Sequence, residues 1–302
     1  MRTYYAHPVD VIRKYNPQVT LQNLEDDGLI GNSDLEQVRA RIQGVESEFD
    51  SMTGSPMREV RVGTPEHPNT WEYQEAELYR TEYGAKVWLD NGKLLPIDPS
   101  KGDTLEMRKG KDAWDDITSE EGDRWEADYE KGWIRVFARY RRTVRRKQLR
   151  DKFLRVTYRH GARGGRHDGA GQTTVSSQVS AGDNTIQVED ASRLQPEGLL
   201  FVGGTEYVFA DVVDYDNDEI DVLTRGARGT EDKQHDPGTT VHYCPDYVRE
   251  AVAARSAQEV LRYEDWVDDL VESGGYSVQD KMSDWQDEWE KALSKNSAVR
   301  AM

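Results

Sequence analysis

One segment restricts the possible folds more than any other, namely the run from Pro245 to Arg262. Its sequence, PDYVREAVAARSAQEVLR, opens on a proline, carries acidic residues in the first turn and then has no glycine or proline, so it predicts a continuous helix. Its apolar side chains fall on two sides, one formed by Ala253, Ala254, Ala257, Val260 and Leu261 and the other by Val248 and Val252. Such a helix is buried on both sides, either within its own chain or between its own chain and a second subunit.

Charge and aromatic content narrow the class of protein. Acidic residues outnumber basic ones by 57 to 40, which gives a formal net charge of −17. Eight tryptophans and fifteen tyrosines nevertheless indicate a packed fold and not a disordered acidic chain. Because salt screens the repulsion between like charges, this composition suits high salt and indicates a halophilic source. An ordinary acidic protein with a cationic partner has the same composition.

Cysteine usage and hydropathy indicate where the chain folds. Cys244 is the single cysteine, which excludes intrachain disulfides and a cysteine-based zinc cluster and indicates a reducing compartment. The first residues, MRTYYAHPVDVIRKY, lack the apolar core of a signal peptide. No run of the sequence approaches the roughly 18 apolar residues of a membrane span. We therefore expect a soluble, non-secreted protein with no membrane partner.

The order of helix and strand signals predicts the domain organisation. Helices are expected at residues 8–15 and from Ser33 onward, and alternating strand patterns separated by turns follow, as in a sandwich or small barrel. We predict an α+β fold in which helices pack on a small antiparallel β-sandwich, with an inserted all-β domain. The predicted parts are residues 1–56 (N-terminal helices), 57–165 (antiparallel β part), 172–243 (inserted β domain) and 245–302 (C-terminal helices).

Turn signals predict which strands pair. Asn91-Gly92 lies between two strand patterns and predicts a type I′ hairpin. Further hairpin turns are expected near Lys109–Lys111 and at Lys131-Gly132.

The sequence contains no recognisable catalytic or metal motif. Asp214, Asp216 and Asp218 are spaced as in a calcium loop, but Glu219 stands where that loop needs glycine and Arg225 where it needs glutamate, so an aspartate-rich hairpin turn is expected. The six histidines lack zinc-site spacing, and nucleophile, Walker and dinucleotide motifs are missing from the sequence. We therefore expect no catalytic residue, no metal site and no cofactor.

Near its C-terminus the chain has a second amphipathic helix with tryptophans one turn apart. Its apolar arc lies opposite acidic residues, so the helix either folds onto its own core or inserts into the groove of a partner. The residues that we assign to partner binding on this helix are Met282, Trp285, Trp289 and Leu293.

A dense basic segment stands out in this acidic chain. It either contacts DNA phosphates without sequence readout or pairs with acidic surface, on a neighbouring subunit or on residues 264–290. The second interpretation is favoured because an acidic channel lets DNA slide while a basic one holds it. The members of this basic cluster are Arg139, Arg141, Arg142, Arg145, Arg146, Lys147 and Arg150, with Lys152 and Arg155 close behind.

Three stretches of the sequence resemble the head–tail adaptor (connector) proteins of tailed bacteriophages and related archaeal viruses. The first, VWLDNGKLLPIDPSKGDTLEMRKGKDAWDDITSEEGDRWEADYEKGWIRV, is similar to the family's strand, glycine turn, W-x-x-[IL]-T and GWI pattern. The second is FLRVTYRHG, which in the family is followed by text like PDYVREAVA. The third stretch lies between FLRVTYRHG and PDYVREAVA. It resembles a small β module of phage structural proteins that ends in L-T-R-G-x-x-G-T…H-x-x-G-x-x-V.

The resemblance, which extends from Val87 to Leu261, implies a structural role and no enzyme activity. Members of the family form a homo-oligomeric ring, typically twelvefold, in the viral neck under the portal protein, and the C-terminal segment reaches into the portal. The resemblance thus implies a virion protein, assembled in the host cytoplasm, that extends the DNA channel and presents a surface to the next tail or neck component. Non-specific contact with the genomic DNA follows only from the first of the two interpretations of the basic cluster. This chain is longer than simple adaptors, so the insertion and the segment after Leu261 are additions.

An alternative function is a tail or neck protein whose inserted β domain binds host-surface glycan. Such a domain would present aromatic side chains on its loops. Here they lie mostly within strand patterns, which predicts core positions for Phe201, Tyr207, Phe209, Tyr215 and Tyr243. A hydrolase that uses an acidic pair is a third and weaker alternative.

Overall fold

A computed structural model describes the fold over most of the chain. The described residues are 3–15, 17, 32–54, 56–63, 72–74, 79–81, 84–89, 91–108, 113–137, 154–161, 171–263 and 278–297. They form a mixed α+β structure of four α-helices and three antiparallel sheets, one of them a curled half-barrel, which confirms the predicted fold class. The contacts between residues divide the chain into two compact units, residues 54–163 and the remainder.

The four helices belong to the second of these units. They are α1 (Pro8–Tyr15), α2 (Asn32–Thr53), α3 (Asp246–Tyr263) and α4 (Val278–Ser297). Helices α1, α2 and α3 begin within one residue of their predicted starts. Helix α3 lies at the centre, in contact with the other three helices.

Both apolar sides of α3 are buried as predicted, except at Leu261 near the helix end, which is half-buried. Val248 and Val252 on one side and Ala253, Ala254 and Ala257 on the other are inaccessible to solvent. Small alanine side chains let the neighbouring helices approach closely. The two predicted apolar faces are therefore covered by the chain's own helices, and they provide no argument for a second subunit.

In the unit of residues 54–163, the described residues form nine strands in two sheets. The strands are β1 (Val60–Val62), β2 (Glu72–Gln74), β3 (Tyr79–Thr81), β4 (Gly84–Trp88), β5 (Thr104–Arg108), β6 (Trp114–Asp116), β7 (Trp125–Asp128), β8 (Trp133–Phe137) and β9 (Leu154–His160). One sheet has the order β1-β9-β5-β6, with β2 also paired to β9, and the other has the order β3-β4-β8-β7. Buried side chains of both sheets, among them Ile134 and Val156, form one hydrophobic core.

The turns of this unit confirm two of the three predicted hairpins. Strands β5 and β6 pair around residues 109–112, and β7 and β8 pair around Lys131-Gly132. The hairpin predicted at Asn91-Gly92 is wrong. Strand β4 has β3 on one side and β8 on the other, so it has no free edge for a strand that follows Gly92. The chain instead crosses to the other sheet, where Leu94 forms a bridge with His160.

The third sheet contains six strands and shares a unit with the helices. Its strands are β10 (Gly171–Thr174), β11 (Thr185–Gln187), β12 (Gly198–Val202), β13 (Glu206–Asp214), β14 (Glu219–Thr224) and β15 (Thr240–Tyr243). They follow the order β10-β15-β12-β13-β14-β11. The sheet curls until its two ends meet, since Val175 after β10 forms a bridge with Val188 after β11. Its interior is filled by small and branched apolar residues such as Ile186, Val208 and Ile220.

The turn at Gly132 generates a test of the corrected pairing. Gly132 has a φ of 74°, and a Cβ there would overlap the Asn91 carbonyl and lie 2.9 Å from the Gly92 Cα. At Gly122, with a φ of 79°, a Cβ would meet nothing within 4 Å. Both glycine-to-alanine variants pay the left-handed penalty of ~1–2 kcal/mol. We expect G132A to be destabilised by ~1–3 kcal/mol more than G122A, measured by denaturant unfolding. Equal losses of the free energy of unfolding in the two variants would contradict the close contact between Gly132 and the Asn91-Gly92 segment.

Candidate functional site

The predicted basic cluster falls almost entirely outside the described residues. This holds for Arg139, Arg141, Arg142, Arg145, Arg146, Lys147, Arg150 and Lys152. Arg155 is described, on β9. Its guanidinium makes two 2.7 Å hydrogen bonds to the carboxylate of Glu106 and lies over the Trp114 ring at 4.7 Å. Arg155 therefore has a structural role within its own sheet.

The two tryptophans of the predicted partner-binding face are buried within the chain. Trp285 is 4% exposed and packs edge-on against Tyr15 of α1, while Trp289 is 3% exposed and packs against Phe49 of α2. Of the two alternatives that the sequence left open, these contacts are those of a helix folded onto its own core. A partner could reach the two rings only if α4 moved away from α1 and α2.

The other two residues assigned to that face, Met282 and Leu293, are half-buried. The backbone carbonyl of Met282 accepts a 3.0 Å hydrogen bond from the Gln258 side chain, which ties α4 to α3. The outward side of α4 exposes the acidic residues Asp284, Asp287 and Glu290. A partner that meets α4 in this structure therefore meets an acidic surface and not the tryptophans.

The six-stranded sheet and its loops contain a buried ionic cluster that sequence analysis did not detect. Glu206 is fully buried on β13. Its two carboxylate oxygens accept hydrogen bonds from Arg225 at 2.7 and 3.0 Å, and His235 Nε2 lies 2.8 Å from one of them. The backbone N–H groups of Gly226 and Lys233 also donate to this carboxylate. Because every oxygen has partners, the charge is tolerated in the interior.

Arg225 also holds the loops around this cluster. Its guanidinium donates to the carbonyls of Ser180 and Asp183 and lies 2.9 Å from the carboxylate of Asp232. Gly226 follows with a φ of 58°, where a Cβ would lie 2.7 Å from the Thr230 carbonyl oxygen. Arginine, glycine and histidine of the L-T-R-G…H phrase thus form one structural lock. The L-T-R-G…H phrase could have indicated that a site exists here, but the sequence did not show that Arg225 and His235 of this phrase bind Glu206.

The neighbours of Glu206 change the pKa of its carboxyl group. Burial by itself raises the pKa of Glu206, but hydrogen bonds from His235 and Arg225 outweigh this effect and lower the pKa to about 2. The folded state therefore keeps this carboxylate ionised well below the pH at which an unfolded glutamate takes up a proton.

A second buried network lies where α1 meets the six-stranded sheet. His7 precedes Pro8 as the N-terminal cap of α1, since its Nδ1 accepts from the Val9 N–H at 3.2 Å and Asp10 accepts from the His7 N–H at 3.0 Å. Burial, together with the nearby cations, lowers the pKa of His7 to about 3, so its ring stays neutral and free to accept this bond. The Tyr207 hydroxyl donates to the Asp10 carboxylate from the sheet.

Arg228 extends this network to the other helices. It has a φ of 56°, which is uncommon for a residue other than glycine. Its guanidinium bonds Asp10 at 3.0 Å and Glu250 of α3 at 3.2 Å. Lys14 of α1 lies 3.1 Å from Glu250 and 2.8 Å from Glu288 of α4. One chain of charges therefore links the sheet to α1, α3 and α4.

The aspartate-rich turn after β13 is a hairpin turn, as predicted. Asp214 accepts hydrogen bonds from the backbone N–H groups of Asp216 and Asn217, which stabilise the turn. Among the described residues, no group of three or more histidine, cysteine, aspartate or glutamate side chains is arranged to hold a metal ion.

Comparison with protein families, with curated proteins and with solved structures finds no match for this chain. In the part of the chain that the structure describes, no helix combines the length and the apolar character needed to cross a membrane.

The aromatic residues between β12 and β15 are not all core residues, and the prediction is wrong for one of them. Phe201 and Tyr207 are buried and pack with Val9 of α1, as predicted. Phe209 is 41% exposed on β13, near two other exposed apolar side chains, Val212 at 50% and Leu223 at 64%. Phe209, Val212 and Leu223 are hereafter called the apolar hairpin face. The unbroken apolar run around Val208 gives no alternation from which this face could have been predicted.

Because Trp289 is buried, we expect its removal to lower the stability of the fold and not only to weaken partner binding. We expect W289A to lose ~3–5 kcal/mol of the free energy of unfolding, the usual range for a large aromatic residue removed from a core. The matched control E290A, on the exposed side of the same helix, should change it by less than ~0.5 kcal/mol. Thermal and denaturant unfolding measure both. A W289A protein with wild-type stability would mean that the ring does not belong to the core.

The lock around Glu206 predicts a pH dependence. The folded pKa lies below the unfolded one, so the stabilisation is present above pH 4.5 and is lost as pH falls towards about 2. E206Q removes the buried charge partner of Arg225 and leaves it only the partly exposed carboxylate of Asp232, so we expect a loss of ~3–5 kcal/mol at neutral pH. The gap between wild type and E206Q should narrow over that acidic window, measured by urea unfolding at several pH values. A difference in stability between wild type and E206Q that stays constant with pH would contradict the lowered pKa of Glu206. The control is E197Q, at an exposed position.

Proposed function

We propose that this chain is a structural virion protein, a head–tail adaptor that forms a ring between the portal and the tail or neck and extends the DNA channel. The proposal rests first on the resemblance of residues 87–261 to that family. A second observation supports the proposal: the residues that carry the resemblance have structural roles in the fold. They hold strands, turns and loops together, as the motifs of a scaffold do.

The W-x-x-[IL]-T motif, which begins at Trp114, is the first example. The Thr118 hydroxyl accepts the Leu105 N–H at 2.8 Å and so continues the pairing of β5 and β6 past its last strand residue. The indole N–H of Trp125, in the core, donates to the Ile117 carbonyl at 2.7 Å. These bonds fix the end of β6 against the start of β7.

The GWI motif and the L-T-R-G…H phrase are the second and third examples. Gly132 makes the turn that brings β7 and β8 together, and Ile134 fills the core beneath. Arg225 and His235 enclose the buried carboxylate of Glu206. Since each motif builds rigid structure, the functional parts of the protein are its surfaces.

The charge of the chain also fits a DNA conduit. A net charge of −17 repels the phosphate backbone, so DNA passes such a channel wall without being held. The basic cluster then serves pairing with acidic protein surface, with non-specific DNA contacts as the minor role.

A glycan-binding module is less well supported. Phe201 and Tyr207 are covered by α1 and so are not available to stack on a sugar ring. Phe209 is the one phenylalanine or tyrosine among the described residues of the inserted strands that is largely exposed, and a single ring is a poor sugar platform.

Assembly with the portal protein of the same virus tests the proposal. We expect the purified chain to form a ring-shaped complex with that portal, seen by mass photometry and electron microscopy in high and low salt. Charge reversal on the exposed side of α4, D284K/D287K/E290K, should weaken the complex at least tenfold if this helix faces the portal. The control E189K/E197K/D236K changes the net charge equally at exposed positions elsewhere. A wild-type chain that binds no portal at any salt concentration would sink the proposal.

A further inference from the structure

The β13–β14 hairpin presents an outer surface that its own helices leave uncovered. The face begins where α1 covers the cross-strand pair of Phe201 and Tyr207. Two residues further along the same ladder Leu199 pairs with Phe209; Leu199 is still half-buried against that cluster, whereas Phe209 is exposed. The apolar hairpin face thus lies next to the surface that α1 covers, on the same side of the sheet, but is itself exposed.

A β-bulge shapes this surface. Ala210 pairs with Val222 and Val212 pairs with Asp221, so Asp211 is an extra residue on β13. As a result, two consecutive side chains, Asp211 and Val212, are both exposed. Bulges of this kind redirect side chains and interrupt regular pairing. The exposure of Val212 is therefore built into the strand and is not a matter of fraying at its end.

The hairpin is also strongly acidic. Residues 209–224 contain six acidic side chains and no basic one. Asp214 and Asp218 accept backbone hydrogen bonds within the unit, whereas Asp211, Asp216 and Asp221 are exposed beside the apolar hairpin face. A partner that covers Phe209, Val212 and Leu223 must therefore bring both apolar and basic groups, since burying these carboxylates without counter-charges is unfavourable.

The chain itself carries a segment of this composition. Residues 138–153 contain eight basic side chains against one acidic, together with Tyr140, Val144, Leu149 and Phe153. We infer that the β13–β14 hairpin of one copy is the docking surface for segment 138–153 of a second copy. The inference rests on the proposed function, because it names the subunit contact of the ring.

Two physical arguments favour a second copy as the partner. Copies with a net charge of −17 repel one another unless an acidic surface of one meets a basic segment of the next. The two surfaces are also different parts of the chain, so the contact is head-to-tail, and such contacts close into rings when the rotation between subunits permits. The exposed share of this attraction weakens with salt, whereas the apolar share does not.

Disulfide trapping between two single-cysteine additions tests the contact. T224C places a thiol beside the apolar hairpin face, and Q148C places one in the basic segment. The native Cys244 is buried, and burial raises the pKa of its thiol, so it does not compete. An equimolar mixture of the T224C and Q148C chains, oxidised at low salt, should give a covalent dimer. The matched control is M52C mixed with Q148C, because Met52 is exposed on α2, and this mixture should give none.

Charge reversal identifies what drives the contact. Adding D211K/D221K to the T224C chain should abolish the dimer, and adding R141E/R145E to the Q148C chain should restore it. The contact is overturned if the first mixture gives no more dimer than the M52C control, or if the charge swap fails to restore it. It is also overturned if a T224C/Q148C double variant closes its disulfide only within one chain.

The outcome separates this contact from the proposed function. Rings on the portal without the T224C–Q148C dimer would overturn the contact and leave the adaptor function standing. The dimer without portal-bound rings would support the contact and count against the adaptor function.

Discussion

The buried carboxylate of Asp10 is the contact on which the helical unit depends. It accepts hydrogen bonds from the His7 N–H at the start of α1 and from the Tyr207 hydroxyl on the sheet, and it is paired with Arg228 beyond the sheet. Helix and sheet therefore converge on one charge, which is stable in the interior only while its partners stay in place. Because Arg228 also reaches Glu250, the same charge sets the position of the central helix α3.

The six-stranded sheet and the helices form one compact unit. A module attached only by its two ends would be free to turn, whereas here the sheet shares a core with α1 and a charge network with three helices. The lock around Glu206 then keeps the loops near Arg228 in place. Binding surfaces on such a scaffold keep their geometry, which reduces the ordering entropy that association has to overcome.

Much of the fold could be predicted from the sequence because its signals are local. Helix α3 has a start signal and no breaker, and the turn at Lys131-Gly132 joins strands that are neighbours in the chain. The pairing after Asn91-Gly92 could not be predicted, because it depends on which strands already occupy both edges of β4. An amphipathic pattern shows that Trp285 is covered but does not show by what. Phe209 lies in an unbroken apolar run from Tyr207 to Ala210, so the sequence does not show which of these residues faces outward, and only the pairing register does.

The two ends of the six-stranded sheet's segment lie side by side, with Gly171 opposite Tyr243 in the antiparallel pair of β10 and β15. Neighbouring residues in such a pair are about 5 Å apart, a gap that one or two residues can span. The polypeptide therefore leaves and rejoins its path at nearly the same point. A short connection could therefore replace residues 172–242 without rerouting the flanking chain, but α1 would then lose its contact with Tyr207 and α3 its contact with Arg228.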